Sequence, residues 1–214
     1  MKNSEFLDSW FLGWVTVQTD LETLKREVVR KILHFLIALS PGMAAVNRPL
    51  TVLLLITGVI LYACMERFRL VGIRVPLISQ LTSMASRARD EGHFVLGPVT
   101  LGLGALLALL FYPAPAAVIA IYALAFGDGC ASLIGKSFGV TRPAFLLGKS
   151  VEGSLACFCA VFLSAFHVSP DYRTALFAAI VATLVEALPL KDYDNIALPV
   201  TVGFVVQALS GVSL

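Results

Sequence analysis

Acids, bases and a histidine form the first of several short polar groups in an otherwise apolar chain. Glu27, Arg30, Lys31 and His34 stand at spacings of i, i+3, i+4 and i+7, so a helix would present all four on one face. Cations in such a position either anchor a helix at a membrane surface or bind an anion. His34 lies deeper in the apolar run, so the anchor interpretation is weaker for His34 than for Arg30 and Lys31.

Asp128 lies in a glycine-rich stretch at the end of a long apolar run. Ala131, Gly135 and Gly139 recur every fourth residue after it, a stripe of small side chains that favours close packing against another helix. Asp128 falls on nearly the same stripe, so its carboxylate is expected to point at a neighbouring helix and away from lipid. An acid in that position predicts a functional role.

The segment from Gly148 to Ser154 combines a lysine with the start of a helix. Lys149 and the free N–H groups near Ser150 and Gly153 would offer positive charge to a phosphate. Glu152 would repel that phosphate unless a divalent cation lay between them. The alternative is a simple helix cap with Glu152 favouring the helix dipole. The segment is not a P-loop, because proline stands where that motif needs its first glycine and no strand is expected before it.

Further acids lie in two groups that flank apolar runs. They are Asp90 and Glu91, followed by His93, and then Glu186, Asp192 and Asp194, followed by Asn195. Carboxylates accompanied by Lys and Arg, without sets of Cys or His ligands, suit magnesium and phosphate chemistry better than zinc. The four cysteines have no framework spacing, so we expect reduced thiols and no zinc.

The elements that must position these groups are membrane helices. Of the 214 residues, 58% are hydrophobic and 14% charged, and the mean hydropathy is +0.86, far from the balance of a soluble domain. Inside a bilayer the backbone must be paired within the structure, and the long unalternating apolar runs exclude a barrel. The fold class is therefore all-α and polytopic, and no nucleic-acid partner is expected.

The apolar runs predict about seven transmembrane helices in one domain, at residues 30–46, 49–66, 94–112, 114–135, 152–168, 172–188 and 195–211. Prolines punctuate the joins between them. Residues 1–26 are interpreted as an N-terminal interfacial segment, either an amphipathic helix on the membrane surface or a docked helix. The transmembrane domain then covers residues 27–214.

The basic residues are segregated by this arrangement. Thirteen of the sixteen Lys and Arg residues fall on the side of the N-terminus, whereas Arg48 and Arg173 fall on the other side. The positive-inside rule makes the basic side cytoplasmic, and a shift of one helix would scramble the pattern. All the polar groups that could do chemistry lie on this side, and the short connections favour a prokaryotic plasma membrane.

At these groups the sequence resembles the CTP-dependent lipid-alcohol kinases, the family that includes dolichol kinase, phytol kinase and the fungal diacylglycerol kinase. The resemblance covers about residues 27 to 205, in six fragments in the right order. These fragments are Arg30-Lys31-x-x-His34, Glu66-Arg67, Arg89-Asp90-Glu91-Gly92-His93, Gly127-Asp128-Gly129 with Ala131-Ser132 and Gly135, Gly148-Lys149-Ser150-x-Glu152-Gly153-Ser154, and Glu186 with Asp194-Asn195. Tyr193 stands where the family often has a second acid.

The resemblance implies transfer of the γ-phosphate of CTP to the hydroxyl of a membrane lipid alcohol. Phosphoryl transfer needs positioning and charge neutralisation, so each residue can be given an expected role. Catalysis would involve Asp128, Asp194, His34 and Glu152, with Asp194 or His34 accepting the proton of the alcohol. Mg²⁺ would be held by Asp128, Glu152 and Asp194, and the nucleotide would be bound by Arg30, Lys31, Lys149, Ser150, Gly153, Gly135 and Asn195.

Two other functions remain open on the sequence. A phosphatidate cytidylyltransferase also joins CTP to a lipid and has a similar Asp, Gly, Lys-[Ser/Thr]-x-Glu-Gly arrangement, but its C-terminal His-Gly-Gly signature is absent here. A small membrane transporter would place its polar residues near the bilayer midplane, whereas these cluster at one boundary. The sequence does not distinguish among phytol, polyprenols and diacylglycerol as acceptor, and a homo-oligomer is possible.

Overall fold

The computed structural model describes residues 21–73, 92–146 and 148–211, and every element in these ranges is helical. No strand occurs among them. The α-helices are α1 (Leu21–Leu36), α2 (Ser40–Leu70), α3 (Gly97–Phe111), α4 (Ala116–Tyr122), α5 (Gly129–Ser137), α6 (Val151–Val168), α7 (Tyr172–Ala187) and α8 (Asp194–Ser210). A 3₁₀ turn, Ile37–Leu39, joins α1 to α2, a π-helical turn, Ala123–Asp128, joins α4 to α5, and Ala144–Leu146 is a second 3₁₀ turn.

The predicted all-helical class is confirmed over the described residues, but long membrane spans are fewer than the seven predicted. Three helices are long and apolar enough to cross a membrane, Glu27–Leu70, Ala116–Ser137 and Val151–Val168. Helices α3 and α8 are apolar but have only 15 and 17 residues. Each predicted segment does contain a helix. Part of the shortfall arises because the first two predicted segments form one helical region. The rest arises because residues at segment ends are extended or in turns, as at Tyr112 (φ −121°, ψ 140°).

The first two predicted segments form one long kinked helical region. Asn47 has a non-helical backbone (φ −153°, ψ 94°), and its Oδ1 accepts a hydrogen bond from the N–H of Leu50 at 3.0 Å. The side chain therefore caps the helix that restarts at Pro49, a residue well suited to the first turn of a helix. Residues 21–26 belong to α1 and continue into Glu27, whereas residues 1–20 of the predicted interfacial segment lie outside the described residues.

The core is built around α4 and the π-helical turn. Ile119, Ile121 and Leu124 are completely buried there, as are Val161 on α6 and Leu198 on α8. Helix α2, in contrast, exposes large apolar side chains along its length; Leu53 and Ile60 are each 58% exposed. Exposed aliphatic residues on a long apolar helix are what contact with lipid tails requires. The structure is thus compatible with a membrane protein whose α4 lies at the centre.

The stripe of small residues brings α5 and α6 into backbone contact. A Cβ added to Gly153 would lie 2.8 Å from the carbonyl oxygen of Ala131, closer than real Cβ contacts, and 3.1 Å from Cα of Gly135. The sequence prediction of close packing at this stripe is therefore confirmed. The contact holds the start of α6 against the end of α5, beside the side chains described next.

Candidate active site

The four polar residues of α1 share one face, as their spacing predicts, and this face is turned inward. Glu27, Lys31 and His34 are 4%, 1% and 5% exposed. Glu27 uses one carboxylate oxygen to pair with Arg30 and the other to pair with Lys136 of α5. The buried acid therefore holds two cations at fixed positions, and the anchor interpretation of this face is not supported by its burial.

Asp128 lies at the end of the π-helical turn, where α1 crosses it. Its Oδ2 pairs with the ammonium of Lys31 and lies 3.0 Å from His34 Nε2. A π-helical turn inserts one extra residue into a helix and often occurs at functional positions. Both contacts use Oδ2, so Oδ1 is the oxygen that remains for a ligand. Asp128 thus points at a neighbouring helix, as predicted.

Asn195, at the start of α8, connects the same histidine to α3. His34 Nε2 also lies 3.0 Å from Asn195 Oδ1, while Asn195 Nδ2 donates to Thr100 Oγ1 at 2.9 Å. The hydroxyl of Thr100 itself donates to backbone carbonyls of Gly97 and Leu96, so it can only accept from Asn195.

This chain of donors determines the tautomer of His34. With its Nδ2 used on Thr100, Asn195 offers an oxygen to the histidine, and Asp128 offers a carboxylate oxygen. Two acceptors face Nε2, which must therefore carry a proton and donate it. His34 Nε2 is consequently a hydrogen-bond donor in this arrangement and is not available to accept a proton.

Lys149 and Glu186 form the second half of the site. Gly148 adopts a left-handed backbone (φ +94°), which glycine tolerates without strain, and Lys149 follows it directly. The ammonium of Lys149 lies 2.8 Å from Glu186 Oε1 near the end of α7. Arg142 braces the same loop by donating to the carbonyl oxygens of Gly148 at 2.6 Å and Gly135 at 2.7 Å.

A cavity of about 340 Å³ lies between these two halves, large enough for a small-molecule ligand. Its lining carries five cationic and three acidic side chains. The cations are Arg30, Lys136, Arg142, Lys149 and Lys191, the acids are Asp128, Glu186 and Asp194, and small residues including Gly135, Ser150 and Gly153 form one wall. An excess of positive charge in a concave site favours a polyanion.

The structure thus brings most of the predicted site residues to one place. Arg30, Asp128, Gly135, Lys149, Ser150, Gly153 and Asp194 line the cavity, and Lys31, His34 and Asn195 adjoin it through Asp128. His93 is described, and its carbonyl accepts from Arg69 at 3.0 Å. Asp90 and Glu91 lie outside the described residues.

Two predicted contributions differ from what the structure shows. The carboxylate of Glu152 accepts the N–H of Thr141 at 3.0 and 3.3 Å and is not part of the cavity lining. The N–H of Gly153, expected to be free for a phosphate, donates to Ser150 Oγ at 3.1 Å. Ser150 is therefore the N-cap of α6, because a capping hydroxyl satisfies an N–H that the helix itself leaves open.

Sequence reasoning gave no role to the cavity residues Lys136, Arg142 and Lys191. In the sequence, Lys136 is the basic residue directly after Gly135 of the small-residue stripe. Arg142 and Lys191 lie in connections, where the sequence offered only their side of the membrane. Glu186 was recognised as a possible oxygen ligand but was not assigned to the site.

The residues of the cavity fit a magnesium ion bound together with phosphates. Among the described residues no group of three or more His, Cys, Asp or Glu side chains is arranged to hold a metal by itself. Mg²⁺ bound with a nucleotide usually takes only one or two carboxylates, phosphate oxygens and water. Asp128, Glu186 and Asp194 supply such carboxylates beside the cations that phosphates need.

Comparison with known proteins identifies relatives of one functional kind. The chain is 30% identical to a probable chloroplastic phytol kinase of Glycine max over 146 residues, covering 60% of this chain and 48% of that protein. It is 28% identical to a CTP-dependent diacylglycerol kinase of Eremothecium gossypii over 221 aligned positions, covering 89% of this chain and 67% of that protein. A dolichol kinase of Schizosaccharomyces pombe is 34% identical over 99 residues, covering 43% of this chain and 19% of that protein.

No protein-family model and no solved structure matches the chain. The chain spans about half the length of the phytol kinases it matches. Its curated relatives are lipid kinases at modest identity over much of the chain, and the resemblance found in the sequence is therefore confirmed. The chain is therefore similar to proteins named as phytol, diacylglycerol and dolichol kinases. The relatives named here are eukaryotic, so the predicted prokaryotic membrane remains a prediction.

Proposed function

We propose that this protein transfers the γ-phosphate of CTP to the hydroxyl of a membrane lipid alcohol at the cytoplasmic face of its membrane. The observation that carries the proposal is the cavity lined by five cations and three carboxylates, one of which is the buried Asp128. This arrangement suits a triphosphate, it occurs in a chain with long apolar helices, and the relatives are named as phytol, diacylglycerol and dolichol kinases.

The cations account for nucleotide binding. Arg30 and Lys136 are both held by Glu27, and Lys149 is held from the opposite wall by Glu186. Charge-assisted hydrogen bonds from such groups to phosphate oxygens are among the stronger polar contacts in proteins. Because the acids pair with the cations beforehand, the side chains are ordered before the nucleotide arrives. Lys31 is occupied by Asp128, so its role is to position that acid.

Charge neutralisation at the phosphates is the main requirement of phosphoryl transfer. A magnesium ion bound with CTP would supply it, polarising the phosphates for attack by the alcohol. Asp128, through Oδ1, is the predicted ligand that would hold the ion, and Asp194, which also lines the cavity, is the candidate for accepting the proton. Glu152, another predicted ligand, would first have to release the N–H of Thr141.

The proton of the lipid alcohol needs an acceptor, and the sequence leaves Asp194 or His34 for that role. His34 Nε2 donates to Asp128 and Asn195 in the arrangement described above. Asp194 lines the cavity at the start of α8, where its Oδ1 accepts the N–H of Asn195 at 2.9 Å. Asp194 is therefore the proposed general base, and His34 and Asn195 are positioning residues.

The acceptor would reach this cavity sideways from the bilayer, while CTP would come from the aqueous side. Helix α1 carries the cavity residue Arg30 and continues into the exposed apolar side chains of α2. Polar and lipid-facing surfaces therefore follow one another along one helical region. A path of seven membrane passages with the basic connections on the cytoplasmic side remains part of this proposal.

A phosphotransfer assay tests the function directly. The purified full chain in detergent, with Mg²⁺ and γ-labelled CTP, is offered phytol, dolichol and diacylglycerol, and separately phosphatidate with α-labelled CTP. The expected result is γ-label in a lipid alcohol, lost in Asp128→Asn and retained in Asp171→Asn, a matched change at the cap of α7. Transfer of α-label to phosphatidate would instead identify a cytidylyltransferase, and silence in both arms would favour a transporter.

A further inference from the structure

Glu186 has a buried carboxylate oxygen that the protein itself does not use. The residue is 6% exposed, and its Oε1 accepts from Lys149 at 2.8 Å. Its Oε2 has no hydrogen-bond partner. A buried anionic oxygen without a partner costs considerable free energy, so such an atom in a cavity wall indicates a missing ligand.

Other atoms of the same cavity share this property. Arg30 Nε and Ser154 Oγ are also buried without a hydrogen-bond partner, and both residues line the cavity with Glu186. Arg30 Nε can only donate, Ser154 Oγ can donate or accept, and Glu186 Oε2 can only accept or bind a cation. The cavity therefore presents positive charge and hydrogen-bond donors to a ligand at several points. It also presents the buried anionic oxygen of Glu186.

The surrounding charge identifies the kind of group that Oε2 would take. The five cations of the lining make the cavity suitable for phosphates, and a carboxylate beside phosphates is repelled unless a cation lies between them. Lys149 already neutralises part of this charge from the side of Oε1. A hard divalent cation, which prefers carboxylate and phosphate oxygens, meets the requirement at Oε2.

We propose that Glu186, through Oε2, is a direct ligand of the divalent cation that binds with the nucleotide phosphates in this cavity. The inference rests on the proposed function for the identity of the phosphates. It assigns the metal a ligand near the end of α7 in place of Glu152, whose carboxylate is bound to the N–H of Thr141. Lys149 then holds the carboxylate of Glu186 in place and contacts the phosphates.

Manganese binding tests this assignment without depending on turnover. Free Mn²⁺ is titrated by its EPR signal against the full chain in detergent, with CTP present and no lipid added. Glu186→Gln should weaken the apparent Mn²⁺ affinity by about tenfold or more, since removing even an outer partner of a metal ligand costs 10- to 100-fold. The control Asp171→Asn should bind as the unchanged chain does, and Glu152→Gln should lose less Mn²⁺ affinity than Glu186→Gln. An unchanged affinity in Glu186→Gln, or a loss only in Glu152→Gln, would overturn the proposal.

Two further variants separate a ligand from a mere partner of Lys149. Lys149→Met leaves Glu186 in place, so its affinity for Mn²⁺ without CTP should equal or exceed that of the unchanged chain. If the two residues formed only a structural pair, Lys149→Met and Glu186→Gln would weaken Mn²⁺ binding equally. Glu186→Asp keeps a carboxylate for Lys149 and replaces Glu186→Gln in the test if that variant does not fold. Its Mn²⁺ affinity should fall between those of Lys149→Met and Glu186→Gln. If the unchanged chain phosphorylates lipid but Glu186→Gln binds Mn²⁺ normally, only the assignment of Glu186 as ligand is refuted. If Glu186→Gln loses Mn²⁺ binding but the unchanged chain phosphorylates no lipid, only the kinase function is refuted.

Discussion

Single hydrogen bonds determine what His34 can do in catalysis. Its Nε2 faces Asp128 Oδ2 and Asn195 Oδ1, each at 3.0 Å, and it must donate to both. A glutamine side chain can also donate from an amide N–H but cannot act as a base. The two roles of His34, donor and base, are therefore separable by substitution.

His34→Gln is expected to retain phosphotransfer within about tenfold of the unchanged chain, because the loss of one neutral hydrogen bond costs about 1 kcal/mol. His34→Leu, which leaves Asp128 and Asn195 without the donor, should be much weaker. The measurement is the rate with saturating CTP and lipid. A loss of about 100-fold or more in His34→Gln, the usual contribution of a general base, would restore the histidine as proton acceptor.

Glu27 has a comparable role for the phosphate-binding cations. Since its two oxygens hold Arg30 and Lys136, Glu27→Gln should release both side chains and raise the KM for CTP more than it lowers kcat. The kinetic constants are measured at varied CTP with lipid saturating. If kcat falls and the KM stays unchanged, the two cations act in the transition state without needing Glu27 for orientation.

The contact between α5 and α6 sets the distance between these two helices beside the cavity. Because α5 and α6 meet at Gly135 and Gly153, Gly153→Ala would force the helices apart and is expected to destabilise the protein by about 1–3 kcal/mol. Gly58→Ala is the matched control, since a Cβ at Gly58 meets nothing within 4 Å and alanine favours a helix by up to about 1 kcal/mol.

Thermal unfolding in detergent compares the two alanine variants. The expected order of midpoints is Gly58→Ala at or above the unchanged chain and Gly153→Ala below it. Equal midpoints for both variants would mean that the α5–α6 contact yields without cost.

A second contact between elements joins α2 to α3 across the arginine-rich connection. Glu66 is fully buried and accepts two hydrogen bonds from Arg69, at 2.8 and 2.7 Å, and one from the N–H of Val95 at 2.9 Å. Glu66 of the Glu66-Arg67 fragment is therefore part of a structural clamp, in which its arginine partner is Arg69. The clamp keeps α3, and with it Thr100, in place under Asn195.

At the scale of the whole molecule, the side of the membrane on which each connection lies is a prediction that charge alone supplied. Lys191 and Arg173 flank α7 at its two ends. If α7 crosses the membrane, Lys191→Cys and Arg173→Cys should react with a membrane-impermeant maleimide from opposite faces of sealed vesicles, and Lys191→Cys from the cytoplasmic face.

The labelling also tests the seven passages. Helix α7 has 16 residues and is not among the three candidate membrane spans of the described residues, so its crossing decides whether shorter helices span the bilayer. The unchanged chain, with its own cysteines, is the control for background labelling. Reaction of both cysteines from one face would place α7 within one side of the membrane and remove one passage from the proposal.

The sequence by itself determined the helical class, the approximate helices, the cationic face of α1 and the group of residues around Asp128. These follow from periodicity, from the cost of placing charge in lipid and from small residues at fixed spacing, all of which are local properties. Glu27 and Lys31 needed no tertiary information to be placed on one helix face.

Only the tertiary structure decided which acids face the cavity and which donors form hydrogen bonds to them. Glu152 and Glu186 are both acids at helix ends, yet one caps a backbone N–H and the other keeps a buried oxygen without a partner. The direction of a carboxylate depends on which distant residue, Thr141 or Lys149, lies within about 3 Å of it. Such a contact arises from the packing of separate helices, and the spacing of residues along the chain does not encode it.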